Sequence, residues 1–596
     1  MFNRKTVLAG LIATLILTSL GLGQTLEDNW NDFLHYTKIG RFDLASGYAQ
    51  AVIDSNPDPV ELLMLSESNV QGYSILLKVK DNKPGSELAR LTDQLLTVIE
   101  EGRYQRRSAP KIIAEEIRRL SSTARGKYAA VKRLKNAGEY AIVYMLDAMA
   151  DDTRKDELPD IIWALPQIGK DAIRPLTTAL QTDNIAVKSE VIKALGKIGY
   201  PQSLAYLKYV AEKDESGQLR QLAEESISEI DPAALKLPAA QLFYRLSEHY
   251  YDHSPSLAPI EESETGNIWF WDEQAKRLIM HKVDRDYFYE LMAMRECENA
   301  LKADSGFGMA IGLWVGSFFK AEATDLEMPD YFGAGHADAM TYATTAGPKY
   351  IHQALARAIK DENAYVALAC VESLATVAGE KSLLYRMGID QPLVRALRFN
   401  DKAVKFSAAI AIAAAGPQNQ FPESSLVTGN LAAALSADVD VNDASELWDA
   451  SMADSYAVRS AKVMLKVAQA RNTIIDLNQA SQALKDATSD SREEIQVLAG
   501  QILAYFGTAD AQKWIADMGL NEKNDMNVRI EAFNSLALSA KINANQLDDD
   551  TIDAIYSIIS SEDADPQLRV VAASAFGALN LPSDKVKRLL LDQAKS

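Results

Sequence analysis

Fourteen-residue blocks that are apolar or small at their second, sixth, tenth and thirteenth places recur eight times along the chain. They are AVKSEVIKALGKIG (186–199), QLRQLAEESISEID (218–231), YVALACVESLATVA (365–378), AVKFSAAIAIAAAG (403–416), YAVRSAKVMLKVAQ (456–469), EIQVLAGQILAYFG (494–507), NVRIEAFNSLALSA (527–540) and QLRVVAASAFGALN (567–580). Steps of four, four and three return to one side of a helix with about 3.6 residues per turn, so each block predicts a helix with one buried stripe. The stripe is Val187, Val191, Leu195 and Ile198 in the first block and Leu568, Ala572, Phe576 and Leu579 in the last. Its sixth place is often alanine (Ala223, Ala408, Ala461, Ala499, Ala532, Ala572), and a small residue in mid-helix lets a second helix approach closely. Gly199, Gly416 and Gly507 close their blocks, as suits the left-handed residue that ends a helix, and a second apolar helix such as SLAYLKYVAE follows. The predicted unit is an α-hairpin. One hairpin cannot hide its apolar face alone, so neighbours are expected to stack into a solenoid with a long concave surface.

These blocks resemble the second helices of HEAT repeats, in particular the short repeats of the bilin-lyase group. The pattern is clearest in IIWALPQIGKDAIRPLTTALQTDNIAVKSEVIKALGKIG. The resemblance implies an all-α fold, an α-α superhelix, and says little about activity. Two segments are similar instead to tetratricopeptide units. Tyr36, Gly40, Phe42, Ala45 and Pro57 suggest one unit near the start; Phe243, Leu246, Tyr250 and Tyr251 suggest a first helix of another, and Ala293, Ala300, Leu301 and Asp304 its second. Between those halves, NIWFWDEQAKRLIMHKV carries two short β-rich runs around a polar turn and predicts an inserted β-hairpin at about 267–283; the preceding HSPSLAPIEESETG predicts a loop. The expected organisation is a leader or anchor over 1–23 and an N-terminal helical region with a tetratricopeptide-like unit over 24–130. HEAT-like repeats follow over 131–237, the interrupted tetratricopeptide-like unit over 238–325, and further HEAT-like repeats over 326–596.

The chain opens with MFNRK, an apolar run from Thr6 to Gly23 and then the polar TLEDNW, which is the order of a secretory signal. Gly21 and Gly23 suit cleavage before Gln24, and retention as an N-terminal anchor is the alternative, the only route to a membrane that the sequence offers. The expectation is an exported protein, periplasmic or otherwise extracytoplasmic. With 47% hydrophobic and 24% charged residues the chain can bury a core. Its net charge of -20 argues against nucleic acid as a partner. The one dense basic stretch, Arg103 to Arg133, is interleaved with Glu115 and Glu116 and is assigned to a solvated helix face.

Candidate chemistry is sparse. Trp269, Phe270 and Trp271, with Tyr287, Phe288 and Tyr289, form the densest aromatic cluster, and Trp269, Trp271, Tyr287 and Phe288 are the candidate partner-binding residues. The competing reading is that these rings cover the interrupted repeat, since Trp and Tyr bury large areas. His249 and His253 have the spacing of metal ligands on one helix face, but Ser254 and Pro255 end the helix there and no third ligand is apparent. DVDVNDASELWD (438–449) places Asp438, Asp440 and Asn442 like the first ligands of a calcium loop; its sixth place is Asp443 rather than Gly, its twelfth is Asp449, and Asn442 or Asp443 also suits a helix N-cap. Cys297 and Cys370 sit in apolar helical patterns and read as small core residues. Gly306, Gly308 and Gly312 read as a helix-contact surface. The chain contains no phosphate-loop, nucleophile-elbow, His-Glu-x-x-His or Cys-x-x-Cys motif, so no catalytic residue, metal or cofactor is assigned. The function this implies is a non-enzymatic scaffold that binds a protein or peptide on the concave face. One alternative is an accessory or lyase-like factor holding a small ligand near the aromatic hairpin and the acidic loop from Glu261 to Glu264; another is a self-associating envelope protein.

Overall fold

The computed structural model describes residues 25–82, 86–259, 264–333, 335–377, 379–437, 448–583 and 586–587. The leader or anchor expected over 1–23 therefore lies outside the described residues, as does 438–447 of the calcium-like segment. Among the described residues, α-helices dominate and one two-stranded sheet interrupts them. The fold is an α-solenoid of stacked helix pairs carrying one small inserted β-hairpin. Two compact units share the chain: residues 1–246 with 253–288, and residues 247–252 with 289–596.

Each of the eight blocks is helical over most of its length, from Ile185–Ile198 to Pro566–Ala578. Every second-place and sixth-place residue is buried, from Val187 and Val191 through Ala457 and Ala461 to Leu568 and Ala572. The stripe weakens toward its end, where Ile198, Ile230 and Ala415 are half-buried and Val377 is exposed. The helix starts are set by short polar side chains: Asn184 accepts from the backbone N–H of Ala186 and Val187, Asp401 from Ala403 and Val404, and Asp565 from Gln567 and Leu568. Gly199 and Gly416 take the left-handed conformation that closes their helices. Gly507 does not. Its helix, Glu493–Leu503, already stops at an ordinary Ala504 cap, and the chain turns through Tyr505 and Phe506 before the glycine is reached.

In the first unit, helices Leu26–Lys38 and Phe42–Asp54 pack as a pair. They share a core of Trp30, Phe33, Ala45 and Val52 with Leu62, Leu63 and Leu91 of the next helices. Short helices then lead through Glu139–Ala150 and Ile173–Ala179 to Ile185–Ile198, Leu204–Lys213 and Gly217–Ile230. The hairpin, β1 (Thr265–Asp272) and β2 (Arg277–Asp284), is antiparallel in the register Asn267 to Lys282, Trp269 to Met280 and Trp271 to Leu278. It packs on Ile173–Ala179 and Glu139–Ala150.

In the second unit, helices Ala364–Val377, Lys402–Ala415, Ser424–Leu435 and Ala450–Gln469 pack successively, with Phe406, Trp448 and Tyr456 at one core. Asp449 caps the last of these through Met452 N–H, the role that Asn442 or Asp443 is expected to play from the sequence. Gly312 lies where helices Met309–Glu322 and Pro348–Lys360 meet, and a Cβ there would come 2.7 Å from Gln353 Cβ. Cys297 and Cys370 are buried and unbridged, and Cys297 Sγ is 3.0 Å from Ser247 Oγ. Burial raises both thiols far above the usual range, which leaves them protonated.

Candidate functional site

Alternation along β1 places Asn267, Trp269 and Trp271 on one face of the strand, and this face meets the helix Glu139–Ala150. That helix is apolar along most of EYAIVYMLDAMA, yet its first residue, Glu139, is only 2% exposed. Trp269 Nε1 donates to Glu139 Oε2 at 2.7 Å, and Asn267 Nδ2 donates to Glu139 Oε1 at 2.7 Å and to the Tyr140 hydroxyl at 2.6 Å. Arg174 Nη2 stands 3.6 Å from Glu139 Oε2 and supplies the opposite charge. A buried carboxylate is tolerated when it is paired and hydrogen-bonded in this way. Burial first, and then the Glu139 carboxylate, push the Tyr140 phenol up, so it stays a neutral hydroxyl. Gly266 lets the strand lie against the helix that follows the hairpin: a Cβ there would come 2.2 Å from Phe288 Cδ2, and the Arg174 guanidinium lies 5.2 Å from the same ring's centre.

The four aromatic candidates are thus separated by burial. Trp269, Tyr287 and Phe288 are 3%, 5% and 0% exposed, so they offer no ring surface to a partner. Trp269 instead packs on Glu139, and Phe288 packs against Gly266 and Arg174. Trp271 differs. It is half-buried, and its indole Nε1 has no hydrogen-bond partner.

Trp271 lines a cleft of about 410 Å³ between the hairpin and the helices Glu139–Ala150 and Ile185–Ile198. Val143, Leu146, Val187 and Leu278 give it an apolar floor. Charged pairs form its rim. Arg277 Nη2 lies 3.0 Å from Asp147 Oδ2, while Lys276 Nζ donates to Asp183 at 2.7 Å and Glu273 at 2.9 Å. Burial pushes the Asp147 carboxyl up, and Arg277 opposes that shift; the hydrogen bonds that Lys276 donates to Asp183 and Glu273 push its ammonium up. A second cleft of about 370 Å³ flanks the hairpin on the side of Tyr104, Tyr140 and Lys282, where Lys282 Nζ sits 3.5 Å from the centre of the Tyr104 ring.

The histidine pair is not brought together as helix neighbours: His249 belongs to the helix Ala239–Tyr251, whereas His253 lies past its end at φ 51°. Among the described residues no group of three or more His, Cys, Asp or Glu is placed to hold a metal ion. No described helix is long and apolar enough to cross a membrane. Sequence reading missed Glu139, Tyr140 and Arg174. The available signal was a single carboxylate opening an otherwise apolar helix immediately after Gly138.

Residues 142–228, which contain the helices flooring the Trp271 cleft, match the family model of HEAT repeats. No curated protein matches the chain. Among solved structures, a homology model of the full-length AP-3 complex in an intermediate open conformation is similar at 11% identity and TM-score 0.29, over 96% of this chain and 83% of that one. Kap121p bound to Pho4p is similar at 13% identity and TM-score 0.26, over 98% and 71%. An engineered protein is similar at 14% identity and TM-score 0.21, over 88% and 99%.

Proposed function

We propose that this chain is a non-enzymatic protein-interaction scaffold that acts outside the cytoplasm and grips a peptide segment of its partner in the cleft beside Trp271. The observation that carries this reading is the cleft itself, where the half-buried Trp271 ring stands at the edge of an apolar floor built from helices of the HEAT-matched segment. Apolar side chains of a bound peptide pack on the Trp271 ring and cover Val143, Leu146 and Val187. The charged pairs at the rim then select what flanks the apolar contact. Export rests on the leader-like order of residues 1–23. The bilin-lyase kinship of the repeats, the tetratricopeptide-like units and the domain limits drawn from the sequence belong to this same reading.

The test is photo-crosslinking of the exported protein from position 276, at the cleft rim, followed by mass spectrometry of the captured species. A reproducible protein partner whose affinity falls roughly 30-fold with Trp271→Ala, as loss of a tryptophan anchor of about 2 kcal/mol implies, supports the scaffold. Capture that ignores Trp271→Ala counts against this cleft. A second reading is favoured by the cleft's size: about 410 Å³ lies within the usual range for small-molecule sites, so an accessory factor holding a small ligand fits the same cavity. A small molecule retained in native mass spectrometry and released by Trp271→Ala would establish that reading instead.

A further inference from the structure

A two-stranded hairpin has two outer edges, and here the edges differ. Arg285 N–H donates to the Glu264 carbonyl at 3.0 Å, in line with the register of the strands. Hydrogen-bonded pairs in an antiparallel ladder recur at every second residue. Gly266 with Val283, Ile268 with His281 and Phe270 with Ile279 are therefore the pairs joined main chain to main chain, and the N–H and C=O groups of the alternate residues point away from the ladder. On β1 these alternate residues are Asn267, Trp269 and Trp271. The helix Ile173–Ala179 packs on that strand, and Thr178 Oγ1 donates to the Trp269 carbonyl at 3.5 Å. On β2 they are Leu278, Met280 and Lys282, whose outward main-chain groups meet no partner among the described residues. Unpaired groups along a strand edge are a template for another strand.

This open edge runs from one cleft to the other. Leu278 lines the cleft beside Trp271, Lys282 lines the cleft beside Tyr104, and the half-buried Met280 lies between them. Four residues of strand cover about 13 Å. All three side chains share the face of the sheet that carries Trp269 and Trp271. A strand laid antiparallel against β2 forms its hydrogen-bonded pairs with Leu278, Met280 and Lys282, and the residues it pairs there turn their side chains to that same face. Two of its side chains, four residues apart, then reach the two clefts while its main chain satisfies the edge.

We propose that β2 receives an extended segment of a partner protein as a third, antiparallel strand, with an apolar side chain opposite Leu278 entering the Trp271 cleft and the side chain opposite Lys282 entering the Tyr104 cleft. The proposal rests on the protein-interaction reading above and gives the bound segment its conformation, direction and spacing. Main-chain pairing supplies affinity that is indifferent to sequence, and the two clefts supply selection.

The first test is residue-resolved amide exchange of the full-length chain alone. The Ile279, His281 and Val283 amides are expected to be protected and the Leu278, Met280 and Lys282 amides to exchange quickly. Equal protection of both sets would mean that the edge is already paired and would overturn the proposal. The binding probe is a set of fluorescein-labelled heptapeptides with Thr at even places and Val, Leu or Tyr at odd places, read by fluorescence anisotropy. Methylating the amide nitrogen at a central odd place removes a donor to β2 and is expected to weaken the tightest binder about tenfold, whereas methylation at an even place should change its affinity less than about twofold. Met280→Pro removes an outward N–H that β1 does not use, and should weaken the same peptide about tenfold where Met280→Ala does not. Should the proline variant misfold, the methylated peptides on the unaltered chain decide the matter. Affinity that ignores the place of the methyl group, or no binding by any member of the set, counts as refutation. Failure of the peptides with Trp271-dependent partner capture intact removes this inference alone; failure of both removes the scaffold reading as well.

Discussion

Glu139 holds the hairpin through Trp269, Asn267 and Arg174, and of these the Asn267 amide has a second acceptor in the Tyr140 hydroxyl. Replacing Glu139 with Ala removes the acceptor of the Trp269 N–H and one acceptor of the Asn267 amide and leaves the Arg174 guanidinium without this carboxylate, and stability should fall by about 3–5 kcal/mol in urea titration. Glu139→Gln should cost less, because the amide oxygen keeps one acceptor. A second residue-scale prediction concerns His352, which is fully buried with its Nε2 2.7 Å from the Ser382 carbonyl oxygen and its Nδ1 without a partner. Burial depresses its pKa from 6.5 in the folded chain. Above that ordinary value both folded and unfolded states are neutral at this position and its contribution is complete. As pH falls below it the unfolded chain binds the proton first, and stability declines until the folded imidazole titrates. The Tm advantage of the native chain over His352→Gln should therefore shrink between about pH 7.5 and pH 5.5. Neither residue was legible as important in the sequence. Burial decides both roles, together with pairing across 128 and 130 positions for Glu139 and 30 for His352, and a linear pattern carries no record of which distant residues meet.

The repeat stripe shows the opposite balance at the scale of elements. Helix periodicity is a local property, so the eight blocks and the hairpin could be placed from residue order alone, and the buried second and sixth places follow the expected face. What the pattern could not supply was the fate of each block's end. Val377 is exposed and Gly507 caps nothing, because helix ends respond to the turn that follows as well as to their own stripe. The aromatic cluster was visible for the same local reason. Its division into the buried Trp269, Tyr287 and Phe288 and the cleft-lining Trp271 was not, since it depends on where β1 lies against helices made much earlier in the chain. At this scale the sharpest test is Ala408→Trp. Ala408 is 0% exposed in the helix Lys402–Ala415, and the added indole should destabilise the fold by about 1–3 kcal/mol or more by overpacking. Unchanged thermal unfolding would refute the assigned face.

At the scale of the whole molecule, stacked helix pairs touch mainly their neighbours, which makes stability a nearly local quantity. In the second unit Lys402–Ala415 packs on Ala364–Val377, Ser424–Leu435 and Ala450–Gln469. Ala408→Trp should accordingly speed amide exchange in those four helices and leave Ile185–Ile198 as protected as before, a pattern that hydrogen-exchange mass spectrometry resolves. Uniform loss of protection would mean that the array unfolds as one cooperative body. The hairpin is the exception to local stacking, because Glu139 meets its donors 128 and 130 positions later. A ribosome adding about 5–20 residues per second takes roughly 6–25 s to cover that stretch. During that interval the HEAT-matched segment, residues 142–228, is itself being made, and the Glu139 carboxylate waits without its donors, so the seat of the hairpin stays bare until long after the helix that carries it has been synthesised.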